Sequence, residues 1–207
     1  FCKSPVAIKK FKSLPSRDDK VLAELLCNEI RIMRHVRHPN IVLFHGAILD
    51  EAGVSLVMER VLPGKDLARL HLKLQGWKQT SPCRADQIGI AKGVCSALIY
   101  LHDRKPCIVH ADLKPSNVLV ESRNGSWFPK VVDFGLSCTV TRNAQLHGGT
   151  PIYMAPEIIR NPGSRPSPAA DVFALGMLMF YIASGRSPLD HLDKEQVIYA
   201  VKQGWLP

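Results

Sequence analysis

The sequence is poor in the features that mark several large protein classes. No apolar run is long enough to cross a bilayer: the most apolar stretch, residues 172–183, falls well short of the roughly 20 residues a spanning helix needs. The six cysteines (Cys2, Cys27, Cys83, Cys95, Cys107 and Cys138) include no C-x-x-C pair. That argues against a zinc site and a dense disulfide framework, and favours reduced thiols in a cytoplasmic or nuclear compartment. There is no internal repeat, no low-complexity segment and no secretory signal at the start. Acidic residues are in deficit, 18 against 27 Lys and Arg, for a formal net charge of +9. The basic residues are nevertheless spread along the chain with no long run. A nucleic-acid interface needs a concentrated patch, so no nucleic-acid partner is expected.

What remains is ordinary globular material, 207 residues at 46% hydrophobic and 22% charged, enough for a real core. It opens at Phe1 rather than Met, as expected of a fragment or a processed chain. The densest chemistry lies in residues 108–135. Val118-Leu119-Val120 and Val131-Val132 are short apolar runs of strand type. Asn124-Gly125 between them is a strong hairpin-turn signal. An antiparallel hairpin brings its outer ends together, so Asn117 before the first strand and Asp133 after the second share one end. Asp112 and Lys114 lie just upstream, on the loop that feeds that end. Two carboxylates, a carboxamide and an ammonium are thereby predicted at the mouth of a buried hairpin. Such oxygen donors suit Mg²⁺, a hard cation that completes its shell with phosphate and water.

A second signal lies near the start. Val6-Ala7-Ile8-Lys9 reads as a strand ending in a lysine. Asp18 and Asp19 are candidate N-caps for a helix reaching about Val36, with an apolar stripe at Leu22, Leu25, Leu26 and Met33. Glu29 falls on that stripe, whereas Glu24 lies off it. A carboxylate on a buried helix face is costly without a cationic partner, and Lys9 is the obvious one. Further on, Pro39 stops the helix and Ile41-Val42 begins a strand. Ser55-Leu56-Val57-Met58 is another strand, Asp66 a candidate cap of a short helix, and 75–83 a polar loop. Residues 85–103 read as a long helix with a stripe at Ile88, Ala91, Cys95, Leu98 and His102. Residues 171–183 are apolar nearly all round, a core helix, and 190–205 form a last amphipathic helix.

The pattern H-x-D-x-K-P-x-N at 110–117, followed by D-F-G at 133–135, resembles the signature of the eukaryotic protein kinase domain, and the resemblance covers nearly the whole chain. It implies an α+β, bilobal fold: a small β-rich N-lobe over 1–58, a hinge at 59–64 and a mainly helical C-lobe over 65–207, both lobes incomplete. It implies ATP and Mg²⁺ as cofactors and a protein substrate, with transfer of the γ-phosphoryl to a Ser or Thr hydroxyl. In that scheme Asp112 accepts or orients the substrate hydroxyl proton, and Lys114 neutralises charge on the transferring group. Asn117 and Asp133 hold metal, and Lys9, paired with Glu29, reaches the α- and β-phosphates. Met58 is the gatekeeper beside the adenine, and the backbone of Glu59 and Val61 bonds its edge. Leu119 forms its floor, and Ala7 joins the nucleotide-binding set. Thr150 hydrogen-bonds Asp112 and Lys114. Asp171 anchors the catalytic-loop backbone, and Phe44, Met33, Phe134 and His110 stack as a spine.

Lys114 and the segment Gly149-Thr150-Pro151-Ile152-Tyr153-Met154-Ala155-Pro156-Glu157 resemble serine/threonine kinases, and His38-Pro39-Asn40-Ile41-Val42 their tyrosine-kinase-like group. Ser137, Thr139, Thr141 and Thr150 are candidate phosphosites in the activation segment, 133–157. One departure stands out. The family has arginine where this chain has Ala111. That arginine couples loop phosphorylation to activity, so weaker dependence on phosphorylation is expected. The Gly-rich loop of the family is expected before Val6, and its last helices after Pro207. A pseudokinase or scaffold is the alternative, opposed by the presence of Lys9, Asp112, Asn117 and Asp133. A small-molecule phosphotransferase is opposed by Ala155-Pro156-Glu157.

Overall fold

The computed structural model describes residues 5–11, 20–51, 53–62, 65–68, 84–123, 126–140 and 148–205. The expectations placed on Asp18, Asp19, residues 75–83, Asn124, Gly125 and Thr141 lie outside them, as does the side chain of Leu22. The N-terminal part is an antiparallel sheet of β1 (Val6–Phe11), β2 (Phe44–Asp50) and β3 (Gly53–Glu59), in the order β1-β3-β2. The two-residue period of β1 turns Ala7, Lys9 and Phe11 inward and leaves Val6, Ile8 and Lys10 more exposed. Helix α1 (Lys20–Met33) buries Leu26, Glu29, Ile32 and Met33.

Helix α1 ends short of Val36. Its last turn tightens into three-residue bonds, His35 N–H to the Ile32 carbonyl at 3.1 Å and Val36 N–H to the Met33 carbonyl at 3.3 Å. Ile41 and Val42 then form only an isolated bridge rather than a strand. Val42 N–H donates to the Val131 carbonyl (3.0 Å), and Val131 N–H donates to that of Asn40 (2.8 Å).

The C-terminal part is mainly helical. Strand β4 (Lys65–Asp66) pairs with β6 (Val118–Arg123), which pairs with β7 (Ser126–Val131), and β5 (Ile108–Val109) pairs with β8 (Cys138–Thr139). Helical backbone begins at Leu67, directly after Asp66. Helix α2 (Arg84–His102) packs on β7 and on α4 (Pro168–Ser184). Its buried face is Ile90, Val94, Ala97, Leu98 and Leu101, whereas Ile88 is 50% exposed. The sequence offers two apolar stripes at helical spacing, and the neighbours of α2 choose the one that periodicity alone does not.

Short α3 (Pro156–Arg160) precedes α4, which buries Ala170, Asp171, Ala174, Leu175, Met177 and Leu178 but exposes Val172 and Met179, so α4 is not apolar-packed all round. The last helix, α5 (Lys194–Lys202), starts later than residue 190 because Asp193 caps it, accepting from the N–H groups of Glu195 and Gln196. No helix among the described residues is long and apolar enough to cross a membrane. The fold is α+β, a small strand region followed by a helical one.

Candidate functional site

The β6–β7 hairpin has Val118 opposite Val131, and Val132 N–H donates to the Asn117 carbonyl at 3.0 Å. Asn117 and Asp133 therefore share one end. The loop before β6 is fixed from below by Asp171, which is 1% exposed on α4. Its carboxylate accepts from the N–H groups of His110 (2.8 Å) and Ala111 (2.9 Å), and its Oδ2 lies 2.8 Å from His102 Nε2. His102 is thus a polar partner of Asp171, not a member of an apolar stripe. Ala111 takes φ 66°, a left-handed conformation that side chains disfavour and that these bonds hold in place.

Asp112, 8% exposed, is the centre of the cluster. Its Oδ2 lies 2.7 Å from Lys114 Nζ and accepts from Asn117 Nδ2 at 3.1 Å, while its Oδ1 accepts from Thr150 Oγ1 at 3.0 Å. Lys114 Nζ also donates to Thr150 Oγ1 at 2.9 Å, and Asn117 Nδ2 to the Asp112 carbonyl at 2.8 Å.

Lys9 on β1 bridges two acids, with Glu29 Oε2 at 2.9 Å and Asp133 Oδ1 at 3.0 Å. Burial works against the Lys9 charge, but the two carboxylates outweigh it and raise the ammonium above its ordinary value. Asp133 is resisted by burial too, yet Lys9 and the Gly135 N–H hold it below the ordinary carboxylate value. Glu29 goes the other way: burial pushes it up more than Lys9 pulls it down. Glu29 is only 2% exposed.

A cavity of about 240 Å³ joins these groups. Of the residues singled out in the sequence, Ala7, Lys9, Glu29, Met58, Glu59, Asn117, Leu119 and Asp133 line it, together with Val42, Ser116 and Val132, which sequence reasoning missed. Val61 is buried and is not among the lining residues. The Glu59 N–H already donates to the Leu43 carbonyl at 2.8 Å, so of its two backbone groups only the carbonyl could serve a base. The Glu59 carboxylate accepts from Lys130 Nζ at 2.9 Å and from Leu43 N–H at 3.1 Å. This tie between β3 and β7 was also missed. Its signal was a lysine inside the apolar run Phe128-Pro129-Lys130-Val131, the same kind of anomaly that marked Glu29.

Met33, Phe44, His110 and Phe134 are all buried, and the His110 and Phe134 rings meet edge-on at 5.1 Å. Ser137 is 1% exposed and donates to the His110 carbonyl at 2.9 Å. It is therefore a structural hydroxyl closed to a modifying enzyme, not an exposed phosphosite. The cysteines Cys27, Cys95, Cys107 and Cys138 are free thiols.

Comparison with known proteins adds an independent finding. A protein kinase domain model matches residues 2–205. The serine/threonine-protein kinase CTR1 of Arabidopsis thaliana is 37% identical over 84% of this chain, which covers 20% of that relative. The probable serine/threonine-protein kinase drkA of Dictyostelium discoideum is 35% identical over 99% of this chain and 30% of its own length. The L-type lectin-domain containing receptor kinase VI.2 of Arabidopsis thaliana is 34% identical over 90% of this chain and 26% of its own length. The chain thus spans less than a third of each of these curated relatives.

Proposed function

The chain belongs to the protein kinase domain family, and from that premise we propose that it transfers the γ-phosphoryl of ATP to a Ser or Thr hydroxyl of a protein, with Mg²⁺. The observation that carries this reading is the convergence of Lys9, Asn117 and Asp133 on one cavity whose edge is hydrogen-bonded to Asp112. Asp112 is the base. A carboxylate has about four lone-pair positions. Lys114 and Asn117 use those of Oδ2, and Thr150 uses one of Oδ1. One position on Oδ1 is left for the substrate hydroxyl, whose proton it accepts as the oxygen attacks phosphorus. Lys114 offsets the charge on the transferring group while keeping Thr150 in place.

Lys9 moves from Asp133 onto the phosphates and stays tied to Glu29. Asn117 spends its Nδ2 on Asp112, which turns its Oδ1 to the acceptor role a cation requires. Asp133 is partly open to the cavity and adds a carboxylate. Among the described residues no group of three or more His, Cys, Asp or Glu could hold a metal ion. The oxygens of Asn117 and Asp133 suit Mg²⁺, which takes one or two protein oxygens and completes its shell from phosphate and water. Bound there, it would neutralise charge on the phosphate oxygens. The names of the CTR1 and drkA relatives support Ser or Thr as acceptor. The free thiols and the need for ATP support a cytoplasmic setting.

The test combines binding and chemistry. Mg²⁺-ATP should raise the unfolding midpoint, the shift should need Mg²⁺, and Asp133→Asn should abolish it. Asp112→Asn should keep the shift but lower phosphotransfer about 10²- to 10⁴-fold. A folded protein with no Mg²⁺-ATP shift would overturn the reading.

A further inference from the structure

Asparagine is a poor residue for the middle of a helix, because its side chain competes for backbone groups and it ranks below Ala and Gln in helix propensity. Helix α1 nevertheless carries Asn28 in its interior, directly before Glu29. The side chain is half-buried, and both ends of its carboxamide are used with matching polarity. Nδ2 donates to the Ser137 carbonyl, and Oδ1 accepts from Arg31 Nη2 at 2.8 Å. Turned over, the amide would set an oxygen against a carbonyl and a donor against a guanidinium, so the two partners fix its orientation.

Ser137 sits where two parts of the site meet. It follows Asp133-Phe134-Gly135-Leu136 and is 1% exposed. Its N–H donates to the Phe134 carbonyl at 3.1 Å, its hydroxyl to the His110 carbonyl at 2.9 Å, and its own carbonyl accepts from Asn28. His110 leads directly into Ala111 and Asp112. A hydrogen-bonded path thus runs from α1 through Ser137 to the loop that carries Asp112. Beside it, the Phe134 N–H donates to the Glu29 carboxylate. Two adjacent side chains of α1 therefore hold one short segment at two points, Phe134 and Ser137. A single bond would leave α1 able to pivot about it. Two resist rotation and keep Glu29 at 2.9 Å from Lys9.

We infer that Asn28 and Ser137 are positioning residues that keep α1 in register with the catalytic loop, so that Lys9 and Asp112 act on the same phosphoryl group. The inference rests on the phosphotransfer reading above and adds two residues to it. Neither lines the cavity around Lys9, so both act through the groups they hold.

The experiment compares the wild type with Asn28→Ala, Asn28→Asp, Asn28→Gln and Arg31→Ala. It reads kcat, KM for ATP, the unfolding midpoint and hydrogen exchange at the Phe134 N–H. Asn28→Ala should lower kcat about tenfold or more, since small displacements of positioned groups are costly, with little change in KM or midpoint. Asn28→Asp keeps the shape but sets an acceptor against the Ser137 carbonyl, so it should be at least as impaired. Asn28→Gln retains the donor and should recover part of the loss. Arg31→Ala removes the other partner of the same amide and should leave kcat near the wild-type value. Exchange at Phe134 should quicken in Asn28→Ala and Asn28→Asp and stay slow in Arg31→Ala. Ser137→Ala should also lower kcat, and adding Asn28→Ala should cost little more, because either change interrupts the same path. A purely structural role predicts a different order. Ala and Gln are the better helix formers, so activity would follow the midpoint and Asn28→Ala would equal the wild type. That result would overturn the inference, and losses that multiply in the double variant would overturn the shared path. Should the wild type transfer no phosphate, the phosphotransfer reading falls, and the exchange pattern alone decides whether Asn28 sets the register of α1.

Discussion

At the scale of single residues, the site is built from charges that would be costly if alone. Glu29 is almost fully buried, and burial dominates its titration even with Lys9 at 2.9 Å. A buried pair of this kind contributes little net stability, because the desolvation of the acid offsets the attraction. Glu29→Gln should therefore leave the unfolding midpoint almost unchanged. It should still impair phosphotransfer, because Lys9 is then held only by Asp133 and misplaced for the phosphates; misplacement of this kind can cost about 10²-fold. A midpoint falling in step with activity would contradict that account. Thr150→Val removes both the donor to Asp112 and the acceptor for Lys114. We expect kcat to fall with little change in KM for ATP, since Thr150 does not line the cavity around Lys9. Steady-state kinetics at varied ATP separates the two. Both anomalies, Glu29 on an apolar stripe and Lys130 in an apolar strand, were present in the sequence as charges out of place. Only the first had an obvious partner at short range.

At the scale of elements, the contact between α2 and β7 shows how closely the hairpin is seated. A Cβ added at Gly93 would lie 2.4 Å from Pro129 Cγ and 2.9 Å from Asn40 Nδ2. Gly93→Ala should overpack this seam and cost about 1–3 kcal/mol, read as a lower denaturant midpoint. A neutral effect would mean that Pro129 can shift freely. Helix α5 depends on Asp193, whose carboxylate takes two backbone N–H groups while the Gln196 side chain accepts from its own N–H. Asp193→Ala should cost about 1 kcal/mol, measurable in the same way. The capping pattern D-x-x-Q at 193–196 was available in the sequence. The face of α2 was not, because an apolar residue sits on nearly every side of that helix and only its neighbours decide which are buried.

At the scale of the whole molecule, five groups respond to alkali with the same sign: Cys107, Cys138, Tyr153, Tyr181 and Lys9. Burial pushes the Cys138 thiol from 9.0 up to about 12, with Asp171 adding to it. Burial also raises Tyr153, and the carboxylates raise Lys9. Each holds its proton more tightly folded than unfolded, so its contribution is complete below the unfolded value and fades as pH rises through the folded one. Stability should fall first between pH 9.0 and about 12, where the unfolded chain ionises Cys138 and the folded one does not. Cys138→Ala should flatten that first part of the thermal-midpoint profile; an unchanged profile would rule out Cys138 as its source. The second global expectation concerns activation. Ala111 offers no guanidinium to a phosphate, and Asp171 holds the catalytic loop through backbone N–H groups without one. Phosphatase treatment should leave most of the activity. Complete loss would show that another cation replaces the missing arginine.

The sequence by itself determined which polar groups cluster and their rough address. The spacing of Asp112, Lys114, Asn117 and Asp133 around a hairpin is local, so strand propensity and chain connectivity are enough to bring the last two to one end. The α+β order of elements followed from the same local signals. The tertiary structure alone decided which groups meet across long separations. Lys9 spans to Asp133 as well as Glu29, Lys130 reaches Glu59, and Asp171 takes His102 together with two backbone N–H groups. It also decided that Ser137 is buried. Local propensity sets which elements form, but the partner of a charge depends on which elements pack side by side, and desolvation acts only after they have done so.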